Sequence, residues 1–158
     1  MAVLAYHLTW TTYGTWLPGD GRGWVKWGEL GVKPPDPGRE RGARERLAES
    51  AVLLTEDQRA LVEQTIRDHC RIRGWVLHAV NARSNHVPVV VTADRDPDDV
   101  MNQFKAWYSR KLSDAAGLVT AVAKKAGRRH WFTEGGNHAP IDTEEYLTNA
   151  IAYVLERQ

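Results

Sequence analysis

The alternation of apolar and polar positions predicts four short strands in this chain of 158 residues. The first covers Tyr6 to Thr12, where aromatic and β-branched residues alternate as they do in a half-buried strand. A second begins after Arg73 in RGWVLHAVNAR, the segment NHVPVVV forms a third, and a fourth is predicted at Trp131–Thr133. Because only a few polar residues separate the second strand from the third, we expect these two to form a hairpin.

Apolar residues at helical spacing predict three helices. The first starts with the capping-box pattern TEDQ at Thr55, the second with the Asp-Pro pair at Asp96, and the third with Asp142 or Thr143 as its cap. The apolar stripes of these helices are Leu61, Val62, Ile66 and Cys70; then Val100, Phe104, Trp107, Tyr108 and Leu112; then Tyr146, Leu147, Ala150, Ile151, Val154 and Leu155.

The order strand, helix, strand, strand, helix, strand, helix predicts an α+β fold. It is the order of a ferredoxin-like split βαβ sandwich, an antiparallel sheet with helices on one face, with one C-terminal helix added. Residues 1–158 fit a single domain. Residues 28–52 mix opposite charges with few apolar positions, which predicts a mobile insertion or a short solvated helix outside the core.

Composition narrows the class of protein without identifying it. Hydrophobic residues make up 42% and charged residues 26%, which is ordinary for a soluble domain. The net charge of +1 means that any nucleic-acid surface must be a local patch. Cys70 is the single cysteine, so an internal disulfide and a paired-cysteine metal site are excluded. The N-terminal apolar run is too short for a signal or a membrane span, and we therefore expect a cytoplasmic protein without membrane contact.

The third predicted strand contains an unusual pair of residues within RSNHVPVVVT. Side chains two apart on a strand point to the same face, so His86 and Pro88 face one way while Val87, Val89 and Val91 face the other. A proline also removes one hydrogen-bond donor from the sheet. A histidine and a proline on one face of a valine-rich strand therefore require an explanation.

Four segments together resemble the single-tyrosine HUH transposases, the family of the insertion-sequence 200/605-like and REP-associated tyrosine transposases. They are AYHLTWTTYGTWLPGDGRGW, then GWVLHAVNARSNHV followed by VVV, then QFKAWYSRKL, and finally AIAYVLERQ. The likeness covers most of the chain, with the segments in the same order. The combination of SNHVxVVV with a tyrosine in a downstream YVLxxQ helix is fairly specific, whereas either piece alone would be weak.

The resemblance implies an enzyme that cuts single-stranded DNA at hairpin-flanked ends through a tyrosine joined covalently to the 5′ phosphate. It further implies a divalent metal, Mg²⁺ or Mn²⁺, held by two histidines spaced His-hydrophobic-His and by a polar residue of the tyrosine helix. His86 matches the first histidine and Tyr153 matches the nucleophile, whereas Pro88 stands where the second histidine is expected. Gln158 is a candidate for the further ligand, although Glu156 and Arg157 lie nearer to the face of Tyr153.

The chemistry explains why that substitution matters. Two histidines at i and i+2 project side by side and can chelate one ion, which polarises the scissile phosphate. A tyrosine phosphodiester can then be attacked by a 3′ hydroxyl, which divides strand exchange into two steps. Changes beside metal ligands typically cost about 10–100-fold in affinity or activity, and losing a ligand should cost at least as much. The sequence therefore predicts impaired cleavage with the fold and the DNA-binding surface retained.

Basic and aromatic residues in the loops are candidate DNA contacts. Arg22 and Lys26 could hold phosphates, and Trp16 and Trp24 could stack on bases. Further candidates are Lys105 on the second helix and the basic segment that contains Lys124, Lys125, Arg128 and Arg129. Solvated basic loops and tryptophans that only cover the core are the plainer alternatives. Tyr108, the rival tyrosine, is expected in the core, and His138 is expected to bind nothing.

Three functions are compatible with the sequence. The first is a transposase-type DNA strand transferase that depends on a divalent cation. The second is a catalytically defective domesticated transposase that still binds hairpin-containing single-stranded DNA. The third is a ferredoxin-like module for a small ligand or a protein partner. The sequence leaves open whether the protein acts as a monomer or as a homodimer.

Overall fold

The computed structural model describes residues 2–26, 29–117 and 130–156. Within these ranges lie four strands and four helices, in the order β1 (Ala5–Thr11), α1 (Pro37–Glu45), α2 (Glu56–Arg73), β2 (Val76–Val80), β3 (His86–Thr92), α3 (Pro97–Ala115), β4 (Asn137–Ile141) and α4 (Glu144–Glu156). None of the helices in the described ranges is long and apolar enough to cross a membrane.

The strands form one antiparallel sheet in the order β2-β3-β1-β4. The first and third strands are therefore central, which is the arrangement of the split βαβ fold. The β1–β3 ladder runs from Tyr6 opposite Val91 to Thr11 opposite His86. The predicted ferredoxin-like fold with an added C-terminal helix is confirmed.

The two faces of the sheet are covered by different helices. On one face Leu8, Trp10 and the odd-numbered valines of β3 pack with α2 and α3 in the main core. Each large apolar side chain buried there stabilises the fold by roughly 1.5–3 kcal/mol. On the other face Val90 packs with Ala150 and Val154 of α4 in a smaller cluster. Because strand side chains alternate, His86 and Pro88 lie on the α4 face, as the sequence predicted.

The helix termini follow the predicted capping residues. Thr55 Oγ1 accepts a hydrogen bond from Gln58 N at 3.2 Å and Gln58 Oε1 accepts one from Thr55 N at 2.9 Å, which completes a capping box. Asp96 Oδ1 accepts from Asp98 N at 2.9 Å at the start of α3. These bonds satisfy amide groups that have no partner within their own helix.

The cap of α4 determines how Tyr153 is presented. Thr143 Oγ1 accepts from Tyr146 N at 3.1 Å, and this bond fixes the first turn of the helix. Counted from that turn, Ala150 and Val154 fall on the buried side, whereas Tyr146 and Tyr153 are 38% and 47% exposed. Of the two predicted caps, Thr143 is therefore the one for which the structure contains a capping bond.

The prediction of a fourth strand at Trp131–Thr133 was wrong in its position. Phe132 forms only an isolated bridge with Thr12, and β4 begins at Asn137. Trp131 and Phe132 are buried in the main core instead. The strand that does form carries Pro140, which an edge strand tolerates because one of its sides has no neighbour to receive a donor.

A glycine turn leads the chain into β4. Gly135 has φ +74°, a left-handed conformation that favours glycine. A Cβ on Gly136 would lie 2.8 Å from the carbonyl oxygen of Thr9, so only glycine allows the turn to pack this closely on β1. The turn delays the strand by several residues relative to its predicted place.

The segment 28–52 contains a short helix with a solvated surface. Asp36 caps α1 by accepting from Arg39 N at 3.1 Å, and Ala43 is the buried residue of that helix. Val52, at the end of the segment, is 5% exposed and belongs to the main core.

Trp107 of α3 was predicted to lie in the core, and this prediction was wrong. Its side chain is 43% exposed and lies beneath the guanidinium of Arg110.

Candidate functional site

Pro88 lies in a central strand without interrupting it. Its carbonyl oxygen accepts from Asn81 N at 3.2 Å, and the carbonyl oxygen of His86 accepts from Arg83 N at 2.8 Å. The even-numbered residues of β3 thus direct their backbone N–H and C=O groups toward β2. The N–H that Pro88 lacks would therefore face Asn81, which lies just beyond the end of β2. The β1 ladder, which uses the odd-numbered residues, needs no donor from Pro88.

His86 is the first residue of β3 and is half-buried. Its Nδ1 lies 2.7 Å from Asn85 Oδ1. When Nδ1–H donates to that oxygen, the lone pair of the imidazole is on Nε2. His86 stands opposite Thr11, whose hydroxyl donates to Thr133 Oγ1 at 3.1 Å. The ring is therefore oriented by its sequence neighbour and placed among polar groups at one end of the sheet.

Tyr153 lies near the C-terminal end of α4 and is 47% exposed. Its ring meets the ring of His7 edge to face, with centroids 6.1 Å apart and planes at 68°. The next residue, Val154, accepts a hydrogen bond on its carbonyl oxygen from Asn81 Nδ2 at 2.9 Å. Because Asn81 also binds the backbone of Pro88, one asparagine attaches the tyrosine end of α4 to the sheet beside position 88.

The predicted catalytic residues share this face of the sheet. Tyr153 is exposed on this face and is not enclosed in a core. His86 lies two residues from Pro88 along β3, a distance of about 7 Å at 3.3 Å per residue. Tyr108, the rival tyrosine, belongs to α3 and is fully buried in the main core, and burial raises its pKa well above the usual value for a phenol. At this corner of the sheet Tyr153 lies beside His7 at the level of Val90, and Val154 is tied through Asn81 to the strand beside Pro88. His86 lies two residues further along β3 than Pro88.

The side chains at this corner do not fit a divalent metal held by a histidine pair. Pro88 has no side-chain donor, and residues 2–26, 29–117 and 130–156 contain no group of three His, Cys, Asp or Glu side chains able to hold an ion. His7 stands opposite Val90, about 13 Å along the sheet from the level of His86. His138 stands opposite Leu8 on the main-core side and approaches Asp98 at 3.5 Å. Gln158 lies outside the described residues.

His7 is the site residue that the sequence analysis missed. It is on β1, on the α4 face, and burial lowers the pKa of its imidazole. It lines a cavity of about 590 Å³. The other lining residues are Tyr146, Asn149, Ala150, Ala152 and Tyr153. The available signal was the alternation within YHLTWTT, which places His7 on the face opposite Leu8 and Trp10.

Arg22 and Trp16, two predicted DNA contacts, are held together in the glycine-rich loop. Arg22 Nη2 lies 2.7 Å from Asp20 Oδ2 and donates to the carbonyl oxygen of Thr15 at 2.6 Å. Its guanidinium lies 4.1 Å from the centre of the Trp16 ring, and the ion pair lowers the pKa of Asp20. Trp16 remains 43% exposed. The loop thus presents a pre-ordered aromatic and cationic pair at the surface.

Trp24 and Lys26 have partners within the same loop. Trp24 is 7% exposed, and its Nε1 donates to the carbonyl oxygen of Pro34 at 2.8 Å. Lys26 Nζ lies 3.0 Å from Glu29, which also pairs with Lys33. The two lysines lower the pKa of Glu29 to about 2. Trp24 therefore packs inside the loop, whereas Lys26 lies at the surface in a salt-bridged group.

Lys105 connects α3 to the segment that precedes β4. Its Nζ donates to the carbonyl oxygen of Thr133 at 2.9 Å and to that of Gly135. Burial lowers the pKa of Lys105 to about 8. Since Thr133 also binds Thr11, opposite His86, the lysine is linked to the strand end of the candidate site. The remaining predicted contacts, Lys124, Lys125, Arg128 and Arg129, lie outside the described residues.

Comparisons with solved structures place this fold among transposase structures. A REP-associated tyrosine transposase bound to a REP hairpin matches 98% of this chain and 67% of its own, with a TM-score of 0.53 and 11% identity. A candidate transposase from Deinococcus radiodurans R1 matches 100% of this chain and 92% of its own, with a TM-score of 0.51 and 15% identity. At such identities the likeness establishes a common fold.

Comparisons at the level of sequence gave no match. No protein-family model matches the chain, and no curated protein matches it. The fold and the site thus define an α+β, ferredoxin-like domain with an exposed tyrosine on its added helix, and two solved transposase structures share this fold.

Proposed function

We propose that this protein acts on hairpin-containing single-stranded DNA by transposase-type nicking and strand transfer, with Tyr153 as the nucleophile. The observation that carries this proposal is the attachment of α4 through Asn81, which holds an exposed Tyr153 over the sheet face of His86 and Pro88. The fold it shares with a tyrosine transposase bound to a hairpin supports DNA as the substrate class.

The proposed reaction is a transesterification at one phosphodiester. The hydroxyl oxygen of Tyr153 forms a bond to phosphorus, the bond from phosphorus to the 3′ oxygen breaks, and the 5′ phosphate remains on the tyrosine. A 3′ hydroxyl of another strand can then attack the phosphotyrosine and release Tyr153. The exposure of Tyr153 suits this chemistry because a strand can reach the ring without unfolding the helix.

Pro88 limits this activity in our proposal. The family pattern requires a second imidazole at this position, and the donors within the described ranges do not form a metal site. Mg²⁺ or Mn²⁺ is therefore proposed to bind weakly if at all, and Gln158 stays a proposed ligand only. We expect cleavage by the natural sequence to be slow because the phosphate lacks the polarisation that a chelated ion supplies.

A second function follows from the same observation. A domesticated, catalytically defective transposase would keep its DNA-binding surface while losing cleavage, and the loss of a metal ligand at Pro88 favours it. The proposed DNA contacts are Trp16 with Arg22 at the surface of the loop, Lys26, Lys105, and Arg128 with Arg129. Trp24, which packs inside the loop, is no longer among them. Their use would appear as binding that weakens steeply with salt, because each phosphate contact releases counterions.

Mapping of a covalent adduct tests the two proposals. A hairpin oligonucleotide with a single-stranded flank is labelled at its 5′ end in one sample and at its 3′ end in another, then incubated with protein and Mn²⁺. A 5′-phosphotyrosine intermediate keeps only the 3′ label on the protein, and peptide mapping should locate it on Tyr153. Tyr146→Phe is the matched control, since Tyr146 is the other exposed tyrosine of α4.

The possible outcomes separate the candidate functions. An adduct on Tyr153 supports the transferase. Salt-dependent hairpin binding without an adduct supports the DNA-binding protein. Neither binding nor an adduct would contradict both proposals and leave the ferredoxin-like ligand or partner module.

A further inference from the structure

The starting observation is a buried histidine nitrogen without a hydrogen bond. His7 Nε2 is shielded from solvent and has no hydrogen-bond partner among the described residues. Most buried polar side-chain atoms have a partner, so an exception of this kind calls for a functional explanation. An apolar residue at position 7 would fill the space opposite Val90 without leaving an acceptor unsatisfied.

Tyr153 is the candidate partner of His7 Nε2. The ring of His7 contacts the ring of Tyr153 edge to face at 6.1 Å between centroids. Both rings line the cavity of about 590 Å³ between β1 and α4, where Ala150 and Ala152 leave room because their side chains are small. A strand that enters this cavity would meet the tyrosine and the histidine together.

The groups around His7 favour its neutral form. Burial lowers the pKa of His7, so the imidazole is uncharged near pH 7 and one of its nitrogens is an acceptor. The strand neighbours opposite it, Val90 and Ala139, carry no charge.

Other titratable groups on this side of the sheet belong to α4, β2 and β3, and the β3 group is His86, about 13 Å along the sheet from the level of His7. Tyr146 and Tyr153 line the cavity from α4, and His78 on β2 shares a hydrogen bond of 2.8 Å with Thr92 Oγ1. Glu144 and Glu145 lie exposed in the first turn of α4. The lining residues that the structure describes include no Asp or Glu that would hold a proton on His7.

We propose that His7 is a catalytic residue that accepts the hydroxyl proton of Tyr153 during the transesterification, an inference that rests on the proposed function. As the tyrosine oxygen bonds to phosphorus, its proton moves to the imidazole of His7, and the departing 3′ oxygen takes a proton from water. In the second step the incoming 3′ hydroxyl gives up its proton to water, and His7 returns the first proton to the tyrosine oxygen. Proton transfer of this kind typically contributes about 10²–10⁴-fold to a rate.

The test measures the nucleophilicity of Tyr153 without DNA or metal. An aryl sulfonyl fluoride reacts with phenols by forming an oxygen–sulfur bond and releasing fluoride, and peptide mapping gives a separate rate for each tyrosine. We expect His7→Gln to slow labelling of Tyr153 by at least about tenfold while Tyr146 is unaffected. His78→Gln is the matched control, because it removes a histidine of the same sheet that is hydrogen bonded to Thr92.

Two further measurements distinguish a role of His7 in proton transfer from a role in packing. Added imidazole should restore labelling of Tyr153 in His7→Ala, because it can occupy the vacated space beside the cavity. In the unaltered protein, the labelling rate of Tyr153 should rise through the pH range in which His7 loses its proton and then level off, a profile that labelling of Tyr146 should lack. The second measurement needs no variant and therefore holds even if His7→Gln fails to fold.

The outcomes separate this inference from the proposed function. A Tyr153 profile that parallels Tyr146, or a His7→Gln protein that folds and labels at the unaltered rate, overturns the role of His7. If labelling depends on His7 but no DNA adduct forms, the proposed function fails while the histidine–tyrosine pair stands.

Discussion

Two tyrosines on opposite faces of the sheet, Tyr108 and Tyr153, lie in very different surroundings. On the main-core face Tyr108 is fully buried, stacked on Trp10 with centroids 5.9 Å apart and in contact with Phe132 at 4.8 Å. On the α4 face Tyr153 is 47% exposed and borders a cavity. The ring of Tyr108 extends from α3 into the main core, whereas the ring of Tyr153 lies half exposed on α4.

This difference separates stability from chemistry. Burial raises the pKa of Tyr108 well above normal and excludes substrate, so that ring can act only through packing. The α4 face buries a smaller cluster and leaves histidines and an exposed tyrosine beside solvent. A site for a large substrate requires a surface that is only partly covered. The α4 face, which buries the smaller cluster, is such a surface.

The largest effect should come from the tyrosine of the α4 face. Tyr153→Phe should reduce covalent DNA adduct formation by at least about 1000-fold, since removal of a nucleophile eliminates the intermediate. Denaturing gel electrophoresis of labelled hairpin with each protein measures it. Tyr108→Phe should leave adduct formation unchanged, and an equal loss in both variants would mean that the two faces do not divide the roles as we infer.

The next effect concerns position 88 on the same face. Pro88→His restores the histidine pair and a backbone donor, and divalent-dependent cleavage should rise by at least about tenfold, the low end of what changes near metal ligands cost. DNA affinity should remain nearly unchanged. Pro88→Ala is the control, because it restores the donor without an imidazole. If Pro88→His cleaves no better than Pro88→Ala, position 88 is not the missing ligand.

A smaller effect is expected in the main core. The hydroxyl of Tyr108 is buried and has no hydrogen-bond partner among the described residues. Tyr108→Phe removes that unsatisfied group while keeping the ring, so the free energy of unfolding should rise by about 1 kcal/mol. Urea titration of both proteins provides the measurement. A loss of stability instead would show that the hydroxyl is satisfied in solution.

The smallest effect is the dependence of stability on pH through His7. Because burial lowers the pKa of His7 in the folded protein, the unfolded chain binds more protons below the ordinary value of 6.5. The free energy of unfolding should therefore rise as pH increases toward 6.5 and level off above it. His7→Gln should flatten that rise in urea titrations at several pH values, whereas an unchanged slope would assign it to other groups.

Much of the fold could be predicted because its determinants are local. The TEDQ cap of α2, the Asp-Pro start of α3 and the face of α4 each depend on residues within a few positions of one another. Strand alternation also assigned His86 and Pro88 to one face and the odd-numbered valines to the other. These features depend on the backbone geometry of a single segment and not on the elements that pack against it.

Tertiary packing decided what local rules could not. The place of β4 depends on a close approach of Gly136 to Thr9, residues far apart in the chain. Trp24 lies inside its loop, and Lys105 donates to carbonyl groups of a distant segment.

The candidate site shows the same division. The sequence by itself predicted Tyr153 and His86 as site residues and Pro88 as the place of a missing ligand. The structure added His7 beside Tyr153, and Asn81 as the link between α4 and the sheet. Such pairs form only when strands and helices that are distant in sequence pack together, and a periodic pattern specifies which face a residue occupies but not which residue it will meet there.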